Sequence, residues 1–274
     1  MSAQPLRASA SDVPILLREM VGPVAVLTLN RPAARNSLSE ALIAEIHAAL
    51  NEIGSDHNVR AVVIAANGPA FSAGHDLKEL TGRRSDTDGG RAYFAKLMNA
   101  CSAMMQAIVH LPKPVVAAVQ GIATAAGCQL VASCDLAVAS DAASFATPGV
   151  DIGLFCSTPM VALSRNVPRK RAMEMLLTGE PVPAATAQSM GLVNRVVPAG
   201  AERNAAIELA QKVALKSAHT VKLGKTAFYR QSEMSLADAY AYAAEVMTEN
   251  MMAADAEEGI CAFIEKREPK WQDR

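Results

Sequence analysis

Short apolar runs alternate with amphipathic segments over the first two thirds of the chain. Residues 24–29 and 59–65 are near-continuous apolar runs with the length and composition of strands, and the run at 59–65 is typical of a buried parallel strand. Residues 93–110 carry the 3.6-residue periodicity of a helix. Ser37 and Glu40 have the spacing of a capping box, which predicts that a helix begins there. Alternating strands and helices of this kind predict an α/β core.

The pattern changes near Pro198. Beyond it, four segments favour helix and no strand-like run separates them: residues 202–216, 221–231, 236–253 and 256–267. We therefore predict two regions, an α/β core over residues 13–198 and an α-helical region over residues 199–274.

The stretch at residues 113–140 joins a strand, a turn of very small residues and a helix. The apolar run at 115–119 leads to Gly121 and the small residues at 123–127, and residues 128–133 then favour a helix. Small residues let a ligand approach the backbone closely, and the first N–H groups of a helix have no partner inside it. The turn therefore predicts a site for an anion or a polarised oxygen. Tight helix–sheet packing predicts the same composition.

A second small-residue turn, at residues 71–78, follows the run at 59–65. If both turns end equivalent strands of one sheet, we expect them to face a common crevice. The polar, glycine-rich segment at residues 81–90 comes next, and its composition predicts a mobile surface loop or a lid over the site.

Composition and charge narrow the functional classes. The 274 residues carry a formal net charge of −1, which argues against a general nucleic-acid or membrane-surface binder. No apolar run approaches the ~20 residues of a membrane helix. The five cysteines form no CxxC pair and the five histidines are scattered singly, so neither a disulfide framework nor a metal site is predicted. The first 14 residues lack the apolar core of a signal peptide and predict a short disordered lead and a cytoplasmic protein.

Five motifs together point to a family. In chain order they are FSAGHDLKEL, QGIATAAGCQLVASCDLAVAS, SFATPGVDIGLF, LLTGEPVPAATAQSMGLVNRVVP and AFIEKREPKW. At these spacings, about residues 13–271 resemble the enoyl-CoA hydratase/isomerase (crotonase) superfamily, and most closely its mitochondrial enoyl-CoA hydratase domain-containing protein 3 group. The resemblance implies a spiral of repeated β-β-α units. It also implies a C-terminal helical region that forms homotrimers, which commonly pair as hexamers.

The resemblance further implies an oxyanion hole for the thioester oxygen of an acyl-CoA. Its two donors are backbone N–H groups, which here belong to His75 and Ala126. Alanine at position 126 is compatible with this role if its φ stays negative, because only the backbone is used. Coenzyme A enters as part of the substrate, and no covalently bound cofactor is expected.

Contacts to coenzyme A are implied at a further set of positions. These are Arg35, Ala73, Asp76, Leu77, Lys78, Phe263 and Lys266. Arg35 and Lys78 match positions where basic side chains often reach the CoA phosphates. Lys266, with Phe263 nearby, matches a C-terminal motif that a neighbouring subunit presents to the nucleotide end. A solvated surface charge is the alternative interpretation of each basic residue.

Two positions depart from the pattern of the family's hydratases. Hydration needs a positioned water and an acid–base pair, which those hydratases supply as two glutamates. The matching positions here are Gln129 and Gly149. A glutamine side chain orients a water but does not titrate, and glycine offers no side chain. The resemblance therefore implies acyl-CoA binding and thioester polarisation without the hydratase acid–base pair.

Four other side chains near the site are candidates for chemistry. They are the ring of His75, the carboxylate of Asp151, and the thiols of Cys128 and Cys156, which are more often small buried side chains than nucleophiles. Family members with one glutamate or none include isomerases, decarboxylases and hydrolases.

Two functional hypotheses follow. The first is an enzyme of the hydratase/isomerase type in fatty-acid and acyl-CoA metabolism. The second is a non-catalytic acyl-CoA-binding or regulatory homologue. The expected partners are an acyl-CoA and further copies of the chain, as a homotrimer or a dimer of trimers, and neither a nucleic acid nor a membrane.

Overall fold

The computed structural model describes residues 13–274, so all but the last two residues of the predicted N-terminal lead lie outside the described residues. The strands are β1 (Leu16–Val21), β2 (Val24–Leu29), β3 (Ala61–Ala66), β4 (Ala70–Ser72), β5 (Val115–Val119), β6 (Ile122–Thr124), β7 (Leu136–Ser140), β8 (Ser144–Ala146), β9 (Val182–Pro183) and β10 (Arg195–Val197). The helices are α1 (Glu40–Ser55), α2 (Leu77–Gly82), α3 (Arg91–His110), α4 (Ala126–Ser133), α5 (Ser157–Asn166), α6 (Arg169–Thr178), α7 (Ala184–Ser189), α8 (Glu202–Ala214), α9 (Ala218–Gln231), α10 (Leu236–Met251) and α11 (Ala254–Glu265).

From β3 to β8, consecutive strands along the chain alternate between two sheets. The larger sheet has the order β1-β2-β3-β5-β7-β10, and the smaller has the order β4-β6-β8-β9. The pairs β3-β4, β5-β6 and β7-β8 each place one strand in each sheet and lead to helices α2, α4 and α5. Within each sheet the strands of these three units run parallel. The predicted spiral of β-β-α units with a helical C-terminal region is therefore confirmed.

The larger sheet is covered on both faces, which explains why its central strands are apolar throughout. Val62 and Ile64 of β3 face one apolar cluster, which includes residues of α1 and α3. Val63 and Val116 point the other way and pack with Ala206 of α8. Helix α8 thus contacts the sheet although it lies beyond residue 198, and the division of the chain at residues 198 and 199 stays a prediction.

The helix that was predicted to begin at Ser37 begins later. Ser39 is the N-cap of α1, and its hydroxyl accepts a hydrogen bond from a backbone N–H of the first turn at 3.2 Å. The hydroxyl of Ser37 donates instead to Asp76 (3.1 Å), and Glu79 of α2 accepts from the backbone N–H of Glu40 (2.9 Å). The cap of α1 is completed by another chain segment, which local spacing does not reveal.

The polar segment at residues 81–90 is helical over its first half, unlike the predicted loop. Helix α2 extends to Gly82, and a single 3-10 turn follows at Arg83–Ser85. The guanidinium of Arg83 lies 4.8 Å from the ring centre of Tyr93, which attaches the segment to the start of α3. Its role as a lid stays a prediction.

Over residues 13–274, no helix combines the length and the hydropathy that crossing a bilayer requires.

Candidate active site

The parallel strands β4, β6 and β8 end at one edge of the smaller sheet. The turn after β4 contains Gly74 and His75, the turn after β6 contains Ala125 and Ala126, and Thr147 follows β8. Ligands of open α/β sheets bind at the carboxyl ends of the strands. This edge is therefore the candidate site.

The first two turns touch each other. Gly74 has a φ of +84°, and a Cβ placed on it would lie 3.0 Å from Cβ of Ala125 and 3.3 Å from N of Ala126. A Cβ on Gly127 would lie 2.3 Å from the carbonyl oxygen of Ser72, so the first turn of α4 packs directly on β4. The close approach of the two turns therefore depends on glycine at both positions.

The two backbone N–H groups implied as oxyanion donors are both unpaired. Leu38 forms a parallel bridge with His75: its N–H donates to the carbonyl of Gly74 (2.7 Å) and its carbonyl accepts from Asp76 (3.3 Å). In that pattern the N–H of His75 points away from Leu38. Ala126 is the first residue of α4, so its N–H has no acceptor within the helix. Over residues 13–274, neither N–H donates a hydrogen bond.

An ion pair holds the first turn in place. The guanidinium of Arg31 donates to the carbonyl of Ser37 (2.7 Å) and to the carboxylate of Asp76 (3.1 Å). The same carboxylate accepts from the backbone N–H of Lys78 (3.2 Å) and caps α2. Burial alone would raise the pKa of Asp76, but the hydrogen bonds from Arg31 and Ser37 outweigh it and hold the pKa below its usual value. The Asp76 side chain is thus engaged by the protein itself.

Three side chains at the site carry buried polar atoms without partners among the described residues. They are Oε1 of Gln129, Oγ1 of Thr147 and both ring nitrogens of His75. Burial lowers the pKa of His75, so its ring is neutral at pH 7. The side chains of Gln129 and Thr147 are almost entirely buried, at 5% and 0% exposure. The motif search missed Thr147; its place directly after a strand of the smaller sheet was the available signal.

At Gly149, the position of the second family glutamate, neighbouring residues occupy the space that a side chain would need. A Cβ placed on Gly149 would lie 2.7 Å from the carbonyl oxygen of Leu154 and 2.9 Å from Sγ of Cys156. Asp151, two residues along, directs its carboxylate toward Gly179 at the end of α6, where Oδ2 is 3.1 Å from the Cβ position of that glycine. Gly149 therefore leaves no room for an acid–base side chain, and the Asp151 carboxylate lies against the end of α6.

The two cysteines near the site are buried thiols. Burial raises the pKa of Cys128 to about 12 and also raises the pKa of Cys156. Both side chains are therefore protonated at pH 7, whereas a nucleophilic cysteine acts as the thiolate. This favours their interpretation as small buried side chains.

The positions implied to contact coenzyme A lie in two places. Arg35 is exposed beside the first turn, where its carbonyl accepts from the N–H of Ala73 (3.0 Å). Leu77 and Lys78 are exposed on α2, and Lys78 lines a cavity of about 340 Å³ with Glu40, Glu79, Gly82, Arg83 and Tyr93. Phe263 and Lys266 are exposed at the end of α11, whose main contacts are with α9 and α10.

Comparison with known proteins places this geometry in a family. Residues 19–274 match the family model described as enoyl-CoA hydratase/isomerase. The chain belongs to the enoyl-CoA hydratase/isomerase family. It is 49% identical over 245 residues to the mitochondrial enoyl-CoA hydratase domain-containing protein 3 of Rattus norvegicus, covering 89% of this chain and 80% of that protein.

Solved structures of the family agree with the fold. The crystal structure of an enoyl-CoA hydratase from Mycobacterium smegmatis has a TM-score of 0.89 and 52% identity, covering 94% of this chain and 99% of that one. The structure of human enoyl-CoA hydratase domain-containing protein 3 also has a TM-score of 0.89, with 44% identity over 94% of this chain and 100% of that one.

The comparisons overturn one expectation. The prediction of a cytoplasmic protein is wrong, because the enoyl-CoA hydratase domain-containing protein 3 relatives from five vertebrates are all named mitochondrial. The N-terminal segment lacks a secretory signal pattern, but that pattern bears on secretion and does not distinguish the cytoplasm from an organelle.

Proposed function

We propose that this member of the enoyl-CoA hydratase/isomerase family binds an acyl-CoA and polarises its thioester carbonyl between the backbone N–H groups of His75 and Ala126. The supporting observation is the contact between the two turns, in which the Cβ position of Gly74 lies 3.3 Å from N of Ala126. Two fixed donors in a site of buried residues stabilise an enolate, and one such donor is worth about 3 kcal/mol of activation free energy.

The chemistry that fits this site needs an enolate but no pair of carboxylates. Gln129 does not titrate, and the side-chain space at Gly149 is taken by Leu154 and Cys156. Addition of water across a double bond is therefore disfavoured. Decarboxylation of a 2-carboxyacyl-CoA suits the site better, because breaking the bond to the carboxylate releases carbon dioxide and leaves the thioester enolate directly. The enolate then takes a proton from water.

The proposal predicts a spectral change that depends on the N–H of Ala126. A conjugated dienoyl-CoA bound to the unmodified protein is expected to absorb at longer wavelength, because hydrogen bonds to the carbonyl draw charge toward it. Ala126→Pro removes the N–H at the first helical position, which proline commonly occupies in helices, and is expected to abolish most of the shift. Circular dichroism checks that this variant keeps its fold, because proline also restricts the residue before it. Ala126→Gly keeps the N–H and is the matched control, and an equal shift in both variants would contradict the proposal.

Turnover assays address the reaction itself. The protein is incubated with crotonyl-CoA, a 3-enoyl-CoA and methylmalonyl-CoA, while enoyl absorbance and release of carbon dioxide are followed. We expect release of carbon dioxide and little or no hydration. Rapid hydration of crotonyl-CoA would refute the assignment of Gln129 and Gly149 as an incomplete acid–base pair.

A second candidate function is a non-catalytic acyl-CoA-binding or regulatory homologue. The observation that favours it is the closed position at Gly149, where a Cβ would lie 2.7 Å from the carbonyl oxygen of Leu154. Binding of all three thioesters without turnover of any would support this candidate over the first.

We also propose that copies of the chain assemble as a homotrimer or a dimer of trimers. Large apolar side chains on the C-terminal helices are exposed in the single chain: Phe228, Leu236, Tyr240, Met247, Phe263 and Ile264. Apolar surface of this extent is typical of a protein–protein interface. Light scattering is expected to give three or six times the mass of the chain, and a monomer would contradict the assembly.

A further inference from the structure

Ser72 lies between the two turns that carry the implied oxyanion donors. It is the last residue of β4 and is completely buried. The Cβ atom of Ser72 is 2.8 Å from the position that a Cβ on Gly127 would occupy, so Ser72 packs against the first turn of α4, which begins at Ala126. Two residues beyond Ser72 lies Gly74, whose carbonyl shares a peptide group with the N–H of His75. Ser72 therefore lies where the two turns meet.

The hydroxyl of Ser72 joins the first turn to the loop before α1. It donates to the carbonyl of Asn36 (2.9 Å) and accepts from the backbone N–H of Gly74 (3.3 Å). The carbonyl of Gly74 in turn accepts from the N–H of Leu38 (2.7 Å). The N–H of His75 belongs to the same planar peptide group as that carbonyl and points the opposite way. The two hydrogen bonds of Gly74 therefore fix the direction of the N–H of His75.

A buried asparagine holds the acceptor of this hydroxyl in place. Asn36 is completely buried, and its Nδ2 donates to the carbonyls of Asn67 and Ala70 (2.8 Å each). Its Oδ1 accepts from the backbone N–H of Arg31 (2.8 Å). Its φ is +52°, a left-handed conformation that asparagine adopts more readily than most residues. The side chain thus attaches the loop to β4, so the carbonyl that Ser72 binds is fixed relative to that strand.

We infer that Ser72 is a positioning residue of the oxyanion hole: its hydroxyl, anchored by Asn36, sets the direction of the first donor, the N–H of His75. Without that hydroxyl, the N–H of Gly74 and the carbonyl of Asn36 both lose their partner, and the turn is no longer held in one orientation. Stabilisation of an enolate depends on donors that are fixed in advance. The inference rests on the proposed function and adds the groups that orient its first donor.

The spectral shift of a bound conjugated dienoyl-CoA tests the inference, because the shift reports how strongly the two donors polarise the carbonyl. Ser72→Ala removes the hydroxyl and keeps the Cβ atom that packs on α4. With the thioester at saturating concentration, this variant is expected to lose about half of the shift, since one of the two donors is no longer held. A merely structural role would lower the melting temperature and leave the shift of the bound thioester unchanged.

Ser140→Ala is the matched control. Ser140 is also completely buried at the end of a strand, β7 of the larger sheet, and its hydroxyl accepts from the backbone N–H two residues on, that of Ala142, at 3.0 Å. This variant is expected to keep the full spectral shift.

The outcomes separate the inference from the proposed function. An undiminished shift in Ser72→Ala, or an equal loss in Ser72→Ala and Ser140→Ala, would overturn the inference alone. No shift in the unmodified protein would overturn the proposed function as well. If Ser72→Ala fails to fold, Ser72→Cys takes its place: a thiol is a weak donor and acceptor, so a reduced shift is expected and an undiminished one would refute the inference.

Discussion

Ala125 has an unusual backbone conformation for a residue with a side chain. Its φ is +49° and its ψ is −117°, directly before the first turn of α4. The role implied for Ala126 requires a negative φ at that residue. Ala126 is helical and meets this requirement, and the positive φ falls one residue earlier. Strained backbone of this kind is concentrated at functional sites, where the surrounding structure enforces it.

Glycine at position 125 is expected to stabilise the protein. Relief of the strained conformation is worth about 1–3 kcal/mol, and the extra freedom of glycine in the unfolded chain removes about 0.5–1 kcal/mol. Ala125→Gly should therefore raise the free energy of unfolding by about 1 kcal/mol, as measured by urea denaturation. A decrease would show that the methyl group of Ala125 makes packing contacts that outweigh the strain.

The ring of His75 should make the stability of the protein depend on pH. Its folded-state pKa is lowered by burial, so between that pKa and about 6.5 the unfolded chain binds more protons than the folded chain. Stability therefore falls as the pH drops below about 6.5. His75→Ala keeps the backbone N–H and should flatten this part of the pH profile.

The control for this prediction is an exposed histidine. His57 lies in the turn after α1 and its side chain is exposed, so His57→Ala should leave the profile of the unmodified protein intact. An unchanged slope in His75→Ala would show that the ring is protonated equally well in both states.

At the scale of elements, the sequence predicted the spiral of β-β-α units but not the hydrogen bonds and ion pair that join its segments. Small residues at 123–127 and 72–74 correctly indicated two strand–turn–helix junctions, because that composition is required where backbone approaches backbone. The capping of α1 by Glu79 and the ion pair of Arg31 with Asp76 join residues about 40 positions apart. Local pattern carries no information about such pairs.

The residues of the candidate site also divide into those that the sequence indicated and one that only the structure revealed. His75, Ala126, Gln129 and Gly149 were indicated by the family motifs. The unpaired hydroxyl of Thr147 became evident only with burial and hydrogen bonding in hand. No sequence motif predicts which buried polar atom lacks a hydrogen-bond partner, because that depends on every atom around it in the folded chain.

The short 3-10 helix after β8 (Pro148–Ile152) should not tolerate any side chain at position 149. A methyl group there would lie 2.7 Å from the backbone oxygen of Leu154. Backbone atoms move aside less readily than the end of a flexible side chain. Gly149→Ala is expected to destabilise the protein by about 1–3 kcal/mol, as measured by thermal denaturation. The same clash implies that Gly149→Glu would not rebuild a hydratase site.

Gly224→Ala is the matched control for this substitution. Gly224 lies within α9 and a Cβ placed on it meets no atom within 4 Å, so alanine is expected to stabilise the helix by about 0.5–1 kcal/mol. Equal effects of the two substitutions would contradict the packing argument at Gly149.

At the scale of the whole molecule, a buried ion pair attaches the C-terminal helices to the core. Helix α9 has no fully buried residue, yet Nζ of Lys225 donates to Asp135 (2.7 Å) and to the carbonyls of Ile108 and Lys113 (2.9 Å each). The hydroxyl of Tyr229 donates to the other carboxylate oxygen of Asp135 (2.9 Å). Polar contacts therefore fix α9, and with it the exposed apolar surface of the C-terminal helices, relative to β5 and β7.

Removing the charge of Lys225 should weaken both folding and assembly. Lys225→Met leaves the carboxylate of Asp135 without its cation and two carbonyls without their donor, and loss of one partner of a buried ion pair costs about 3–5 kcal/mol. We expect a lower melting temperature and a shift of the assembly toward monomer in light scattering. Lys222→Met, at an exposed position three residues earlier on α9, should change neither. A Lys225 variant that melts like the unmodified protein would show that α9 is fixed by contacts between chains and not by this ion pair.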